Sequence, residues 1–532
     1  MCHFHYWLLF IYLLSMSCSQ GYYDESLNIF RYNESSSITS LDPVFANNQA
    51  NIWAVSQIFN TLVELDSNLI IQPSIAKKWT ISDNYLKYTF IIRDDVYYHK
   101  SVCFGKDSTR LLKASDFIYS LSRLSDEKLV SPGSWVLDYI NLNKVYAPSD
   151  TILEINLEKP FPALLGLLTM NYFSFVPIEA VEYFGTRFSS NPVGTGPFYF
   201  KFWKHNEKMI LSKNNHYYEY DDNVRLPYLD GVSISFITQK ESVFMNFILG
   251  KFDFVSGLDN SFRDEFFDLN GELLPKYIKQ FSLLSHPYMN TEYLGINLPK
   301  SISDQNPLMS KYFRKALNYS FDRNIIAEYL RNGLVRPAVH GIVPNDLLNC
   351  YNVQGFFYSP DSVNQLLKKV PSNNKEIILH TTRDYVDICE YIQYSASSFG
   401  INIKIEISTP SVHRELVSLG ESSFFRASWI ADYPDPENFL SLFYSYNKSP
   451  SGPNYTHFHN RQYDSLYQES FHKPYLERCS LFARMESILL DEAIIIPLYY
   501  DYAVRLVSNR VKGMTINSMN LLSLKRVQKE CD

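Results

Sequence analysis

The run Asp-Tyr-Pro-Asp-Pro at 432–436 sets two carboxylates among turn formers, where Asp432 can fold into an Asx-turn or stay free to meet a charged ligand. Trp429 stands three residues earlier and serves either as a core tryptophan or as a flat wall. Asn47, Asn48 and Gln49 follow an Asp-Pro pair and can cap the next helix or bond a ligand. Tyr499 and Tyr500 are adjacent, so strand alternation turns one of them toward a core. His457 and His459, two apart and followed by His472, carry metal-ligand chemistry, but the Gly and Pro around the first two read as exposed loop and no metal is assigned. There is no G-x-S-x-G elbow, no H-E-x-x-H, no phosphate-cradling glycine loop and no G-x-G-x-x-G after a strand. No catalytic residue or cofactor is therefore assigned.

The elements that must position these residues alternate between strand and helix. Leu153, Ile155 and Leu157 alternate with polar residues, as do Val232, Ile234 and Phe236, giving half-buried strands. Ile52, Val55 and Phe59 recur at helical spacing after Asn47 and Asn48, and Phe117, Leu121 and Leu124 do so after Ser115. A strand over Ile377–His380, a helix through Ile388, Ile392 and Ala396 closed by Gly400, and a strand over Ile401–Ile407 predict a parallel pair joined by a right-handed crossover. At 532 residues the chain needs at least two lobes, and no flexible linker separates them. A net charge of −7 and the absence of a basic stripe argue against nucleic acid as a partner. After Cys2 and Cys18, five scattered cysteines remain, which do not describe a disulfide framework and allow two bridges at most.

Read in order, several segments carry a resemblance: Ser40–Pro43, Ile58–Val63, Pro73, Ala76 and Trp79, Tyr88–His99 and Lys113–Arg123. Asn191–Phe200 (NPVGTGPFYF), Tyr312–Ile326, Ala431–Leu440 (ADYPDPENFL) and Ile495–Val507 complete it over nearly the whole chain. Together they resemble the peptide-binding family of ABC-transporter solute-binding proteins, the dipeptide and oligopeptide binders. The resemblance implies an α/β, two-lobed periplasmic-binding-protein-like fold of type II, in the large peptide-binder variant with an extra subdomain in the first lobe. The expected division is 1–18 export signal; 19–60, 190–288 and 504–532 first-lobe core; 61–189 extra subdomain; and 289–503 second lobe. Lys100–Leu112 is longer than the family's loop, and Lys113 replaces a helix-capping Thr, with Ser115 expected as the substitute cap.

The same resemblance implies the roles. Asp432 matches the aspartate that binds a peptide's α-ammonium in the cleft, and burying that ammonium without a carboxylate would cost several kcal/mol. Trp429 matches a residue flanking the ligand, Asn47, Asn48 and Gln49 a loop that touches it, and Tyr499 and Tyr500 a segment giving ring and hydroxyl contacts. His99 and Arg323 match positions that read as structural. The implied function is capture of short peptides outside the cytoplasmic membrane and delivery to an ABC importer's permease subunits. Glutathione, a nickel chelate or haem are the alternative ligands on the same fold. The apolar run Trp7–Leu14 is too short to span a bilayer and reads as an export signal. Cys18 after it resembles the lipid-acceptor cysteine of bacterial lipoproteins, although Met16 and the distance of Leu14 depart from that pattern. A periplasmic protein anchored to the membrane through Cys18 is the expectation.

Overall fold

The computed structural model describes residues 27–256, 265–268, 271–298, 306–344, 350–370 and 376–530. The expected export signal and Cys18 lie outside the described residues.

Two long strands organise the chain, Phe281–Ile296 of 16 residues and Ile495–Ser508 of 14, paired antiparallel. On one flank of this pair lie Phe254–Ser256, Ile29–Asn33, Gly231–Ser235, Lys208–Lys213 and Phe198–Lys204; on the other lie Phe424–Ile430, Glu376–Thr382 and Asn402–Ser408. The pairing slips between Pro287 and Thr291, next to a proline that has no N–H to give the ladder. Each flank has its own core. Phe30, Tyr32, Leu211 and Ile234 belong to the first, and Leu294, Ile377, Ile403 and Phe424 to the second.

Tyr88, Phe90 and Leu153 pack into the first core from a separate antiparallel sheet, ordered Ala76–Ile81, Lys87–Ile92, Ile152–Asn156 and Val145–Ser149. The predicted strand, helix, strand unit forms over Glu376–Thr382, Val386–Ser397 and Asn402–Ser408, with the strands parallel and Gly400 at φ +74° before the second. That left-handed turn is where glycine avoids the Cβ clash.

The motif Asn191–Phe200 also has a steric reason. A Cβ at Gly194 would stand 2.1 Å from the Ile58 carbonyl oxygen, and Gly196 donates to the same oxygen at 2.8 Å, so the turn can close over the helix Gln49–Ile58 only without side chains. His99 is buried there between the Gly196 carbonyl and the Gly194 N–H, and burial holds its pKa down to about 4, so it is a neutral structural ring. Arg323 is likewise consumed by the carbonyls of Pro497 and Asn318.

The helix Ala114–Ser122 corrects one expectation: Ser115 does not cap it. Asp116 accepts from the Lys113 N–H at 2.9 Å, and Arg110 grips the same carboxylate. A carboxylate at the third helical position reaches back to the free N–H groups that a first-turn hydroxyl cannot. Arg110 also forks onto Glu179, which folds the long 100–112 loop against the helix Ile178–Phe184. One disulfide links Cys350 to Cys479, with Cα atoms 5.1 Å apart; Cys103 and Cys389 are free.

Candidate functional site between the lobes

The strand Phe424–Ile430 runs antiparallel to Phe281–Ile296, with Trp429 opposite Thr291. It ends because Pro434 and Pro436 cannot extend the ladder, and the chain turns into the short helix Pro436–Leu440, capped by Asp435, which accepts from the Glu437 N–H at 2.9 Å. From this helix the buried Asn438 points back to the strand end. Its Oδ1 accepts from Trp429 Nε1 at 2.9 Å and from the Asp432 N–H at 3.1 Å. Trp429 is half-buried and held edge-on by this bond.

Asp432 is half-buried. Burial raises its pKa to about 6, against a hydrogen bond from Asn438 that pulls the other way. No cation pairs with it among the described residues. Four other buried carboxylates have one, Asp42 with Arg123 at 2.6 Å, Glu292 with Arg426 at 2.5 Å, Asp253 with Lys529 at 2.8 Å and Asp435 with Arg478 at 2.8 Å, whereas the fully buried Glu437 accepts from two tyrosine hydroxyls and Glu486 from the Val343 N–H. The Asp432 charge is felt in the 61–189 segment: after burial it raises the phenol of Tyr172, and it adds a little to the rise of Tyr139, which burial and Glu437 dominate.

Its neighbour Tyr433 crosses outright. The ring is 1% exposed and packs in the first core, edge-on to Phe161 at 6.1 Å. The Tyr433 hydroxyl donates to the fully buried Glu437, as does Tyr467, and burial lifts that carboxyl to about 7. Beside this contact a cavity of about 490 Å³ opens between Leu137–Asn143, Glu158–Phe161 and Phe471. A second, of about 530 Å³, is lined by Thr39, Ser40, Phe45, Asn47, Pro132 and Ser189. Its Pro132 adjoins Gly133, where any side chain would strike the Tyr172 ring.

The other expected residues divide. Asn47, Asn48 and Gln49 are exposed. Asn48 caps the helix Gln49–Ile58 by accepting from the Asn51 N–H at 3.0 Å, whereas Asn47 lines the second cavity. Tyr499 and Tyr500 are both buried, at 4% and 2% exposure, so the expectation that only one faces a core gives way. A further strand, Val335–Pro337, pairs along this stretch, with Tyr499 packed in the second core and Tyr500 held against Gly341. The Tyr500 hydroxyl donates to the Gly341 carbonyl at 2.9 Å and accepts from its N–H, and Tyr499 lies under Arg331. His457 bonds Ser449, and no cluster of three metal-ligating side chains occurs among the described residues. Sequence reasoning missed Asn438, Tyr139 and Tyr172; the two tyrosines sit in a distant segment, and no local pattern joins them to Asp432.

Residues 71–451 match the middle part of the bacterial extracellular solute-binding proteins, family 5, and the chain belongs to that family. The periplasmic murein peptide-binding protein MppA of Escherichia coli (strain K12) is 25% identical over 517 residues, covering 90% of this chain and 89% of the relative. Heme-binding protein A of Haemophilus influenzae is 26% identical over 485 residues, covering 86% and 84%. Among solved structures, the periplasmic binding protein DppA from Helicobacter pylori in complex with the peptide STSA superposes with a TM-score of 0.76 at 23% identity, covering 94% of this chain and 98% of that one. The protein is thus an extracytoplasmic solute-binding protein of two lobes.

Proposed function

We propose that this protein captures short peptides between its lobes and delivers them to the permease subunits of an ABC importer, with Asp432 receiving the peptide's α-ammonium. The observation that carries the reading is the carboxylate itself: half-buried, without a cation, and facing tyrosines of the other lobe. An extended peptide between sheet edges takes affinity from main-chain hydrogen bonds, and water fills whatever its side chains leave. In this reading Trp429 flanks the ligand, and Asn47, Asn48 and Gln49 border it from the first lobe. Tyr499 and Tyr500 hold the wall of the second lobe from beneath. Closure pivots where the two long strands cross, near 288/289 and 503/504, where the ladder slip supports a hinge. Lipid attachment at Cys18 would keep the protein beside its permease.

The test is calorimetry with an unblocked tripeptide. Losing a charge pair worth roughly 3 kcal/mol should weaken binding of Asp432→Ala by about a hundredfold, and unchanged affinity would refute the assignment. A haem-binding relative at 26% identity keeps a second reading open to measurement: an absorption band in the purified protein, or in the protein titrated with haem, would replace the peptide with a cofactor.

A further inference from the structure

Tyr433 belongs to the second lobe, yet its ring is 1% exposed in the core of the first, edge-on to Phe161 at 6.1 Å. Phe161 is fixed from its own lobe: its ring centre lies 4.4 Å from that of Tyr139, and its carbonyl accepts from the Tyr88 hydroxyl at 2.9 Å. It also meets Phe471 of the second lobe at 6.0 Å, and Phe471 stands edge-on to Tyr467 at 5.1 Å. Beneath these rings the hydroxyls of Tyr433 and Tyr467 donate to separate oxygens of the fully buried Glu437, the first at 2.5 Å. All three residues lie in 289–503, so neither bond crosses between lobes, and together they hold the Tyr433 ring as a preformed plug. We infer that Tyr433 is a closing latch, whose ring seats in a first-lobe socket beside Phe161 and holds a large share of the protein closed before any ligand arrives.

The latch rests on the hinged closure proposed above and is indifferent to whether a peptide or haem fills the cleft. Opening at the strand crossing draws Tyr433 away from Phe161 and brings water to two rings that are 1% and 2% exposed. Their apolar surface and edge-to-face contact resist that separation. The fit is close at Gly166 on the short helix Leu164–Leu167, where a Cβ would stand 3.6 Å from the Tyr433 Cβ and 3.6 Å from Pro434 Cδ. A methyl group there makes ordinary contact, but a long side chain fills the socket before Tyr433 can. Because the closed form is the one that grips ligand from both sides, a latch raises apparent affinity by the factor by which it raises the closed fraction. That gain is common to all ligands, whereas Asp432 acts on one chemical group.

Small-angle X-ray scattering on ligand-free wild type, Tyr433→Ala and Gly166→Trp tests the latch, with calorimetry on an unblocked tripeptide alongside. Both variants are expected to have a larger radius of gyration than the wild type without ligand. Tyr433→Ala should bind the tripeptide roughly tenfold more weakly and return to the wild-type radius when saturated, whereas Gly166→Trp should bind more weakly still and stay extended, since its wedge blocks the closed form. Gly166→Trp leaves Tyr433 and Asp432 in place and decides the matter alone should Tyr433→Ala fail to fold. A ligand-free radius equal to the wild type's in either folded variant, with only a loss of unfolding stability, would make the contact a fixed junction and overturn the latch. Should the wild type not bind the tripeptide, the peptide reading fails, while the ligand-free radii still decide the latch.

Discussion

Asp432 and Asp435 share one pentapeptide and meet opposite fates. Asp435 accepts two hydrogen bonds from Arg478, at 2.8 and 2.9 Å, and caps a helix. Arg478 precedes Cys479, whose disulfide to Cys350 pins the same helix, Tyr475–Glu492, on its other side. Asp432 has, among the described residues, no cation. A desolvated carboxylate without a counter-charge costs stability; Glu437 and Glu486, which also lack a cation, are enclosed and accept from tyrosine hydroxyls or a main-chain N–H, whereas Asp432 is part-exposed and can meet a charge from outside.

The largest expected effect lies on the structural side of the comparison. Asp435→Ala leaves Arg478 charged at 2% exposure, and orphaning a buried charge costs about 3–5 kcal/mol. Denaturant unfolding should show that loss, while Asp432→Asn, measured alongside, should be as stable as the wild type or more so at neutral pH. If Asp432→Asn proved the more destabilised, the two aspartates would have been assigned the wrong way round.

A smaller effect follows from pH. Burial raises Asp432 to about 6, so in the ligand-free protein its contribution to stability is fully present below the ordinary carboxylate range and is lost as pH rises through 6. An ammonium needs the ionised form. Peptide affinity should therefore be steady from about pH 6.5 to 7.5 and fall by roughly tenfold for each unit below 6, because binding must then expel a proton. Isothermal titration at pH 5 and pH 7 measures it; a flat profile would mean that the ligand does not meet this carboxylate.

How far such assignments can be read from sequence depends on the range of the interaction. The parallel pair 376–408 was legible because its signal is local: alternating isoleucines, a helical stripe and one glycine. Ser115 misled because a hydroxyl and a carboxylate near a helix start compete for the same N–H groups, and geometry chose Asp116. Asp432 and Trp429 stand out through a recognisable motif, and the structure joins them through Asn438. Their setting does not, since Tyr139 and Tyr172 reach Asp432 only after the chain has crossed between lobes. The burial of Tyr499 along with Tyr500 has a similar reason, because the Gly341 turn that holds Tyr500 is distant in sequence.

The smallest effects belong to the Asn47–Gln49 loop, where the division seen between Asp432 and Asp435 recurs among neutral amides. Asn48 spends its oxygen on the Asn51 N–H, so Asn48→Ala should cost about 1 kcal/mol of stability, the usual worth of an N-cap. Gln49 is the exposed first residue of the helix, with no cap to lose, and Gln49→Ala should stay within about 0.5 kcal/mol of wild type. Asn47 lines a cavity and makes no bond to the helix main chain, accepting only from the Asn48 amide at 3.3 Å. Asn47→Ala should therefore leave unfolding unchanged and alter the ranking of peptides in a thermal-shift panel, while Asn48→Ala lowers every melting temperature and preserves the ranking. The reverse pattern would show that the capping amide, and not its neighbour, is the one turned to the ligand.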